Sequence, residues 1–419
     1  MPPSEKWKVD PGDRRILRDL ARKKLDQAHS EVNQERRRAW YALDEGRAER
    51  PMILCEWWPA LELKDSGLKC REEWARKVEW GFHAGFFEHE VIRDDHVVEP
   101  VFDCGWRVQA SNYGVEAVQH QPDNDGQLGA RTWEHPIKDL DRDFDKLKPR
   151  TFTVDRDTSI AWKIHMDELL GDILTVRMRG AHWWTMGMTI VAVELIGLEN
   201  LMLYMYDNPE GLHRIMAFLR DDHLAFARWC EREGVLNLNN ENDYIGSGSM
   251  GYTRALPQPG WKSGDPVRMK DLWVLIESQE TVGVGPDLFE EFIFPYQLEI
   301  AREFGQCYYG CCEPVHSRWE VLRKLPGLKR VSVSPWCDQR FMAEVLGRDI
   351  VFSRKPNPTL VSTPSFSEEA IRKDLRATLE TAGGCNIEII LKDVHTLCGE
   401  PWRMARWVEI AREETTQGR

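Results

Sequence analysis

The chain has 419 residues, of which 42% are hydrophobic and 30% charged, and its formal net charge is −13. This composition is typical of a folded globular protein, and the acidic balance argues against nucleic acid or an anionic membrane as a partner. No apolar run approaches the roughly 20 residues that span a bilayer, and the opening stretch MPPSEKWKVDPGDRR does not resemble a secretory signal. We therefore expect a cytoplasmic protein whose ten cysteines are reduced.

The first predicted elements are an N-terminal helical extension and a strand. Residues 11 to 45 are rich in good helix formers and have leucines at helical spacing. The short apolar run PMILCE at 51–56 is typical of a buried strand. We assign residues 1–50 to the extension and residues 51–419 to one domain, in which the irregular segment from about 57 to 165 is an insertion or cap.

From residue 173 onwards, strands and helices alternate along the chain. Eight short apolar runs are each followed by a helical pattern or an insertion, which favours a (β/α)8 TIM barrel, an α/β fold. The alternative is an open doubly wound sheet with a separate N-terminal domain, but no glycine-rich nucleotide-binding motif follows any of these runs. The predicted strands begin near residues 51, 173, 235, 272, 306, 329, 349 and 385.

Cysteines follow two of the predicted strands at their carboxyl ends, where the active sites of such barrels lie. Cys311, Cys312 and Glu313 end the fifth strand in YYGCCEPVH, and Cys398 follows the eighth. Because neighbouring side chains of a strand point to opposite faces, we expect only one of the adjacent cysteines to face the site. Zinc accepts cysteine, histidine and carboxylate ligands. Packing as small buried hydrophobic residues is the alternative role for these cysteines.

Four stretches of the chain resemble the uroporphyrinogen decarboxylase superfamily: ETVGVGPDLFEEFIFPYQ, YYGCCEPVH, RVSVSPWCD and VFSRKPNP. The resemblance covers roughly residues 50 to 415 and is closer to the corrinoid-linked methyltransferases than to the porphyrin decarboxylases. The decarboxylases have arginines after the first strand that grip substrate carboxylates, whereas this chain has CEWWPALEL there, without arginine. The resemblance implies a (β/α)8 barrel that acts as a zinc-dependent methyltransferase.

The resemblance also implies a ligand set for Zn²⁺. The methyltransferase branch binds zinc through His-x-Cys at the end of the fifth strand and through a cysteine after the eighth. Cys398 matches the second position, but no histidine precedes either Cys311 or Cys312 at the required spacing. Glu313 is the nearest carboxylate that could replace this histidine, and Glu277, Glu280 and His395 at other strand ends are the further candidates.

Two directions of methyl transfer are implied by the resemblance. One moves a methyl group from a methylated substrate to the Co(I) corrinoid of a partner protein. The other moves it from the corrinoid protein to a thiol or to tetrahydrofolate. A zinc-dependent decarboxylase or lyase on the same barrel, and a barrel without catalytic activity, are the alternatives. The corrinoid belongs to a partner because the chain has no D-x-H-x-x-G motif, and the long loop at 246–266 is a candidate lid or docking element.

We favour the first direction, with a small aryl methyl ether as the substrate and O-demethylation as the reaction. Tryptophan pairs follow the first and second predicted strands, where they could hold an aromatic ring. The sequence leaves the oligomeric state open, with a homodimer as one option. The candidate residues are Glu241 for catalysis and Trp57, Trp58, Trp183, Trp184, Asn242, Tyr244 and Arg354 for substrate binding.

Overall fold

The computed structural model describes residues 7–57, 67–120, 132–180 and 182–417. It is a mixed α/β structure built around a curled parallel sheet. The strands are β1 (Met52–Trp57), β2 (Val101–Gly105), β3 (Val108–Ala110), β4 (Val118–His120), β5 (Thr132–Glu134), β6 (Phe152–Val154), β7 (Thr175–Arg179), β8 (Tyr244–Gly246), β9 (Ser249–Met250), β10 (Trp273–Ile276), β11 (Gln306–Tyr309), β12 (Leu328–Val333), β13 (Val351–Arg354) and β14 (Ile387–Val394).

Helices surround the sheet and also form the N-terminal part of the structure. Among the described residues, no single helix is long and apolar enough to cross a membrane, and Thr189–Ile196 and Leu198–Asp207 meet that test only as a pair bent by 92°. The helices are α1 (Pro11–His29), α2 (Glu31–Asp44), α3 (Glu73–Phe87), α4 (Leu140–Asp143), α5 (Arg156–Leu170), α6 (Thr189–Ile196), α7 (Leu198–Asp207), α8 (Pro209–Arg232), α9 (Pro286–Phe292), α10 (Phe294–Glu303), α11 (Trp319–Leu322), α12 (Gln339–Leu346), α13 (Thr359–Ser362), α14 (Glu368–Ala382) and α15 (Trp402–Gln417).

The helix predicted over 11–45 is two helices, α1 and α2, which meet at Ser30. The backbone of Ser30 is extended, with φ −63° and ψ 148°, so the helical path is interrupted there. The Ser30 side chain accepts a hydrogen bond from the backbone N–H of Asn33 and thereby caps α2. The capping serine explains why a sequence with good helical propensity on both sides still breaks at this point.

Six of the eight predicted strands form one parallel sheet in the order β1-β14-β13-β12-β11-β10. Strands β10, β11 and β13 are buried along their whole length. The continuous apolar sequence of β10 is typical of a parallel sheet that is covered on both faces. β11 and β13 also bury the polar side chains of Gln306, Ser353 and Arg354. The carboxyl ends of the six strands meet at one edge, which we call the mouth.

The predicted barrel is not closed, because the second and third predicted strands do not join this sheet. The second is β7, which pairs with β2 in a separate parallel pair. The third, VLNLNN at 235–240, forms no strand. Side-chain amides bridge the gap instead. Asn237 donates to the Met178 carbonyl at 3.0 Å, and Asn239 donates to the Trp273 carbonyl and accepts from the Trp273 N–H, at 3.1 and 2.9 Å. The fold is therefore TIM-like, with a half-barrel of six strands.

The short hairpin β8–β9 fills the concave side of the half-barrel. A Cβ on Gly246 would lie within 3 Å of side chains of β10 and β11. On the other side, a Cβ on Gly248 would lie 2.6 Å from Ile390 of β14. Ser249 donates a hydrogen bond to the buried carboxylate of Glu388, also on β14, at 2.9 Å. The hairpin thus packs between opposite ends of the curled sheet.

The rest of the predicted 246–266 loop runs to the amino-terminal edge of the sheet. The backbone N–H of Gln258 donates to Asp271, at 2.9 Å, just before β10 begins. A Cβ on Gly305, just before β11, would lie 2.5 Å from Leu256. Arg254 forms an ion pair with Glu45, which precedes β1. Residues 254–258 therefore lie away from the mouth, whereas Ser247 at the start of the loop lies 3.4 Å from Lys392 near the end of β14. A lid or docking role for this loop stays a prediction.

Candidate active site at the carboxyl ends of the strands

The two adjacent cysteines lie side by side at the mouth, just after β11. The chain bends at Gly310, whose φ of +94° is in the left-handed region, so the alternation of a strand has already ended. The Sγ atoms of Cys311 and Cys312 are 3.6 Å apart, with Cys311 buried and Cys312 exposed. The expectation that only one of them faces the site was therefore wrong, because it treated both as strand residues.

A lysine at the end of β14 lies among the acidic groups of the mouth. The Nζ of Lys392 is 3.5 Å from the Cys311 Sγ, 3.8 Å from a Glu56 carboxylate oxygen and 3.7 Å from an Asp393 carboxylate oxygen. Burial alone would lower the pKa of Lys392, but the negative charges of Cys311, Glu56 and Asp393 outweigh it and raise that pKa. The mouth thus has a fixed positive charge surrounded by three acidic groups.

The hydrogen bond between the two cysteines shifts their pKa values in opposite directions. The hydrogen bond with Cys312 and the charge of Lys392 lower the pKa of Cys311, against the effect of burial. The same contact raises the pKa of Cys312, whose Sγ also lies 3.3 Å from an Asp393 carboxylate oxygen. Cys311 is therefore the more acidic thiol of the pair and Cys312 the less acidic one.

A second lysine lies just beyond β13. Lys355 is buried, and its Nζ is 2.5 Å from the Ser353 Oγ. Burial lowers the pKa of Lys355 to about 7, and the charge of Glu388 opposes this effect. Ser353 in turn donates to Glu388, at 2.5 Å, and accepts from the Tyr308 hydroxyl, at 2.8 Å. Lys355 therefore exchanges its proton near neutral pH within a buried hydrogen-bond network.

Arg354, which we predicted as a substrate ligand, lies on the opposite face of β13. Its guanidinium donates to Asp374 of α14 at 3.0 Å and to Thr378 of α14 at 3.1 Å. These two contacts direct the Arg354 side chain towards α14 and away from the mouth. The structure does not place Arg354 at the site, and the neighbouring lysine takes that position.

The predicted zinc ligands do not come together as a set. Both carboxylate oxygens of Glu313 accept backbone N–H groups, from Ser278 at 2.9 Å and Cys311 at 2.8 Å. The Cys398 Sγ lies 3.7 Å from the Ser362 carbonyl oxygen. Among the described residues, no group of three or more histidine, cysteine, aspartate or glutamate side chains is arranged to hold a metal ion. The predicted set therefore does not fit Zn²⁺ in this arrangement, and the Lys392 ammonium supplies the positive charge beside Cys311.

Glu277, the remaining predicted ligand, is buried at the end of β10. One oxygen accepts the Gln279 N–H at 3.0 Å, and the other has no hydrogen-bond partner within the described part of the chain. Burial and the nearby carboxylates of Glu280 and Glu313 raise the pKa of Glu277. Burial and these neighbouring carboxylates therefore favour the neutral form of the Glu277 carboxyl group.

Aromatic side chains form one wall beside the mouth. The Trp184 indole N–H donates to the Tyr244 hydroxyl at 3.4 Å, and the two side chains are 43% and 42% exposed. Both line a cavity of about 400 Å³, together with Trp183. Trp183 also packs edge-on against Phe226 and Phe304, with ring centroids 6.1 and 5.9 Å away, so it belongs partly to the core.

The remaining predicted residues lie away from this wall or outside the described structure. Glu241 accepts hydrogen bonds from Arg37, at 2.8 Å, and Tyr41, at 3.3 Å, on α2. Asn242 lines a larger cavity of about 1020 Å³ beside α1, α3 and β2. Trp57 ends β1, but its side chain, like the whole of Trp58, lies outside the described residues.

Tyr244 connects the aromatic wall to the charged groups. Burial raises the pKa of its hydroxyl to about 12, the charge of Glu56 acts in the same direction, and that of Lys392 opposes it. These effects require Glu56 and Lys392 to lie near the ring. None of the cysteines and lysines described above lines either cavity, but Tyr244 lines the 400 Å³ cavity and lies near Lys392. We therefore place the candidate site in the 400 Å³ cavity and in the mouth beside Tyr244.

Comparison with known proteins gives likenesses to solved structures. No family model matches the chain, and no curated protein matches it. A solved structure described as a methyltransferase from Methanosarcina mazei covers 90% of this chain and 98% of its own, with 12% sequence identity and a TM-score of 0.49. At this level the likeness carries no argument about what the protein does.

Proposed function

We propose that this protein is a methyltransferase that removes the methyl group from a small aryl methyl ether and passes it to the reduced corrinoid of a partner protein. The observation that carries the proposal is the Lys392 ammonium, which lies among Cys311, Glu56 and Asp393 at the mouth. The resemblance implies zinc as the electrophile of this reaction. In the proposal, Lys392 has that role.

The aromatic wall supports a small aromatic substrate. A cavity of about 400 Å³ is within the usual range for small-molecule sites, roughly 300–1,000 Å³. Trp184 and Tyr244 present exposed aromatic rings to it, and aromatic rings pack well in offset or edge-to-face geometry. A ring held there would place its ether oxygen towards Tyr244 and the Lys392 side of the mouth.

Loss of the methyl group leaves negative charge on the ether oxygen, and two lysines can respond to it. The Nζ of Lys392 would stabilise this charge as it develops, because a preorganised cation in a buried site costs little reorganisation. The Nζ of Lys355, whose pKa of about 7 leaves it partly protonated at neutral pH, would then donate a proton to the phenolate. When bound, the partner's corrinoid supplies the nucleophile that accepts the methyl group.

The test is a demethylation assay with free cob(I)alamin as the acceptor and a panel of methoxybenzenes and methoxybenzoates. We expect release of the corresponding phenol, and a loss of about 10²–10³ in kcat in Lys392→Met, as for removal of one electrostatic donor. Lys392→Arg keeps the charge and should retain more activity. Trp184→Ala should raise KM more than it lowers kcat, since the indole contacts only the ring.

Glu241→Gln is the matched control, because Glu241 is paired with Arg37 and lies away from the cavity. It should turn over like the wild type. Urea unfolding of each variant would show whether a loss of activity comes from a loss of folding. No phenol from any substrate would refute the proposal. A Lys392→Met enzyme as active as the wild type would refute the role of Lys392.

A further inference from the structure

We propose that Cys311 and Cys312 form a chelating site for trivalent organic arsenicals, held by two sulfur–arsenic bonds. This inference goes beyond the methyl transfer proposed above and does not depend on it. It rests on the distance between the two sulfur atoms, 3.6 Å, and on the exposure of one of them.

The distance suits a bridge of one atom and does not suit a direct bond. Bonds from thiolate sulfur to a metal such as zinc are roughly 2.3 Å, so one atom with similar bonds can join sulfurs up to roughly 4.6 Å apart. A disulfide would require the sulfurs to approach to roughly 2.05 Å, with a dihedral angle that adjacent residues reach only with strain. At 3.6 Å, a bent single-atom bridge fits without movement of the backbone.

The two cysteines also have complementary reactivity. Cys312 is exposed, so a small arsenical can reach the pair from solvent. Cys311 lies 3.5 Å from the Lys392 ammonium, which favours its thiolate form, the form that attacks an electrophile. In the reaction of phenylarsine oxide with the pair, two sulfur–arsenic bonds form and the arsenic–oxygen bond breaks. The oxygen leaves as water with two protons, and nothing is oxidised or reduced.

The other exposed cysteine provides the comparison. Cys398 is exposed, but its Sγ lies against the Ser362 carbonyl oxygen and has no second sulfur beside it within the described structure. A single thiol binds the arsenical through one bond only and releases it to competing thiols. Two linked bonds typically gain about 10²–10⁴ in overall affinity over one.

The experiment uses the full chain with phenylarsine oxide and follows the intact mass through a glutathione wash. We expect wild type and Cys398→Ser to retain one phenylarsenic group, which 2,3-dimercaptopropanol then removes. Cys312→Ser should lose retention by about 10²-fold or more. Because Cys312 is exposed, this variant leaves the core intact.

Either of two results would overturn the site: equal retention by Cys312→Ser and wild type, or loss of the adduct from wild type in glutathione. Cys311→Ser should behave like Cys312→Ser, with circular dichroism used to confirm that it is folded. Since the readout is mass, inactivity in the demethylation assay would leave this result unchanged.

Discussion

Replacing Gly248 by alanine tests whether the hairpin β8–β9 fills the half-barrel. Gly248 has φ +85°, and a Cβ there would lie 2.6 Å from the Cγ2 atom of Ile390. Gly260 is the matched control, because its φ is +94° but nothing lies within 4 Å of its Cβ position. Both changes introduce the same backbone strain, and only one introduces a clash with β14.

The expected losses of stability follow from the backbone strain, which both variants have, and the clash with β14, which only Gly248→Ala has. A non-glycine residue in the left-handed region costs about 1–2 kcal/mol, so Gly260→Ala should lower the free energy of unfolding by about that amount. Overpacking against a branched core side chain adds about 1–3 kcal/mol. Gly248→Ala should therefore lower the free energy of unfolding by about 2–5 kcal/mol.

Urea unfolding followed by circular dichroism, with the slope m compared between variants, gives both values. Equal losses in the two variants would refute the packing of the hairpin against β14. A smaller loss in Gly248→Ala than in Gly260→Ala would refute it as well.

Two further predictions concern a buried histidine and the metal. Burial lowers the pKa of His223 to about 4, so the folded protein keeps it neutral where an unfolded histidine, near 6.5, is already protonated. Stability should fall by up to about 3 kcal/mol as the pH drops from 6.5 to 4. This part of the loss should be absent in His223→Gln, as measured by urea unfolding between pH 6.5 and 4. If the unfolding free energies of wild type and variant fell in parallel with pH, the prediction would be contradicted. Protein purified without chelator should contain substoichiometric zinc, unchanged in Cys398→Ser. One zinc per chain, lost in both Cys312→Ser and Cys398→Ser, would restore the predicted zinc site.

The sequence predicted the apolar strands of the sheet. It did not predict that the asparagine-rich segment VLNLNN at 235–240 would form no strand. IEIILKDV and WVLI are short, mostly apolar runs of strand length, and both are strands of the sheet. VLNLNN is also a short run with apolar residues, but its asparagines bond to neighbouring strands through their side chains. A side-chain amide can replace a backbone ladder without changing the periodicity of the sequence, so the pattern cannot reveal it.

The site was predictable in position more than in composition. Placing the site at the strand ends led to Cys311, Cys312 and Tyr244, all of which lie near the mouth. Lys392 was not selected, although it directly follows the apolar run of the last strand. A charged residue at that point must be paired if it is buried. Whether it faces the mouth, as Lys355 does, or the helices, as Arg354 does, depends on register that the sequence does not display.

The hairpin inside the half-barrel also constrains how the chain reaches its folded state. Ser249 and Glu388 are hydrogen-bonded although 139 residues separate them. This hydrogen bond forms only when the hairpin and β14 have both reached their final positions. Contacts of such long sequence separation slow folding, because the loop entropy is lost before the contacts form. We expect refolding to be limited by this late closure step, and the last strand of the sheet to be its least protected part until the hairpin has docked.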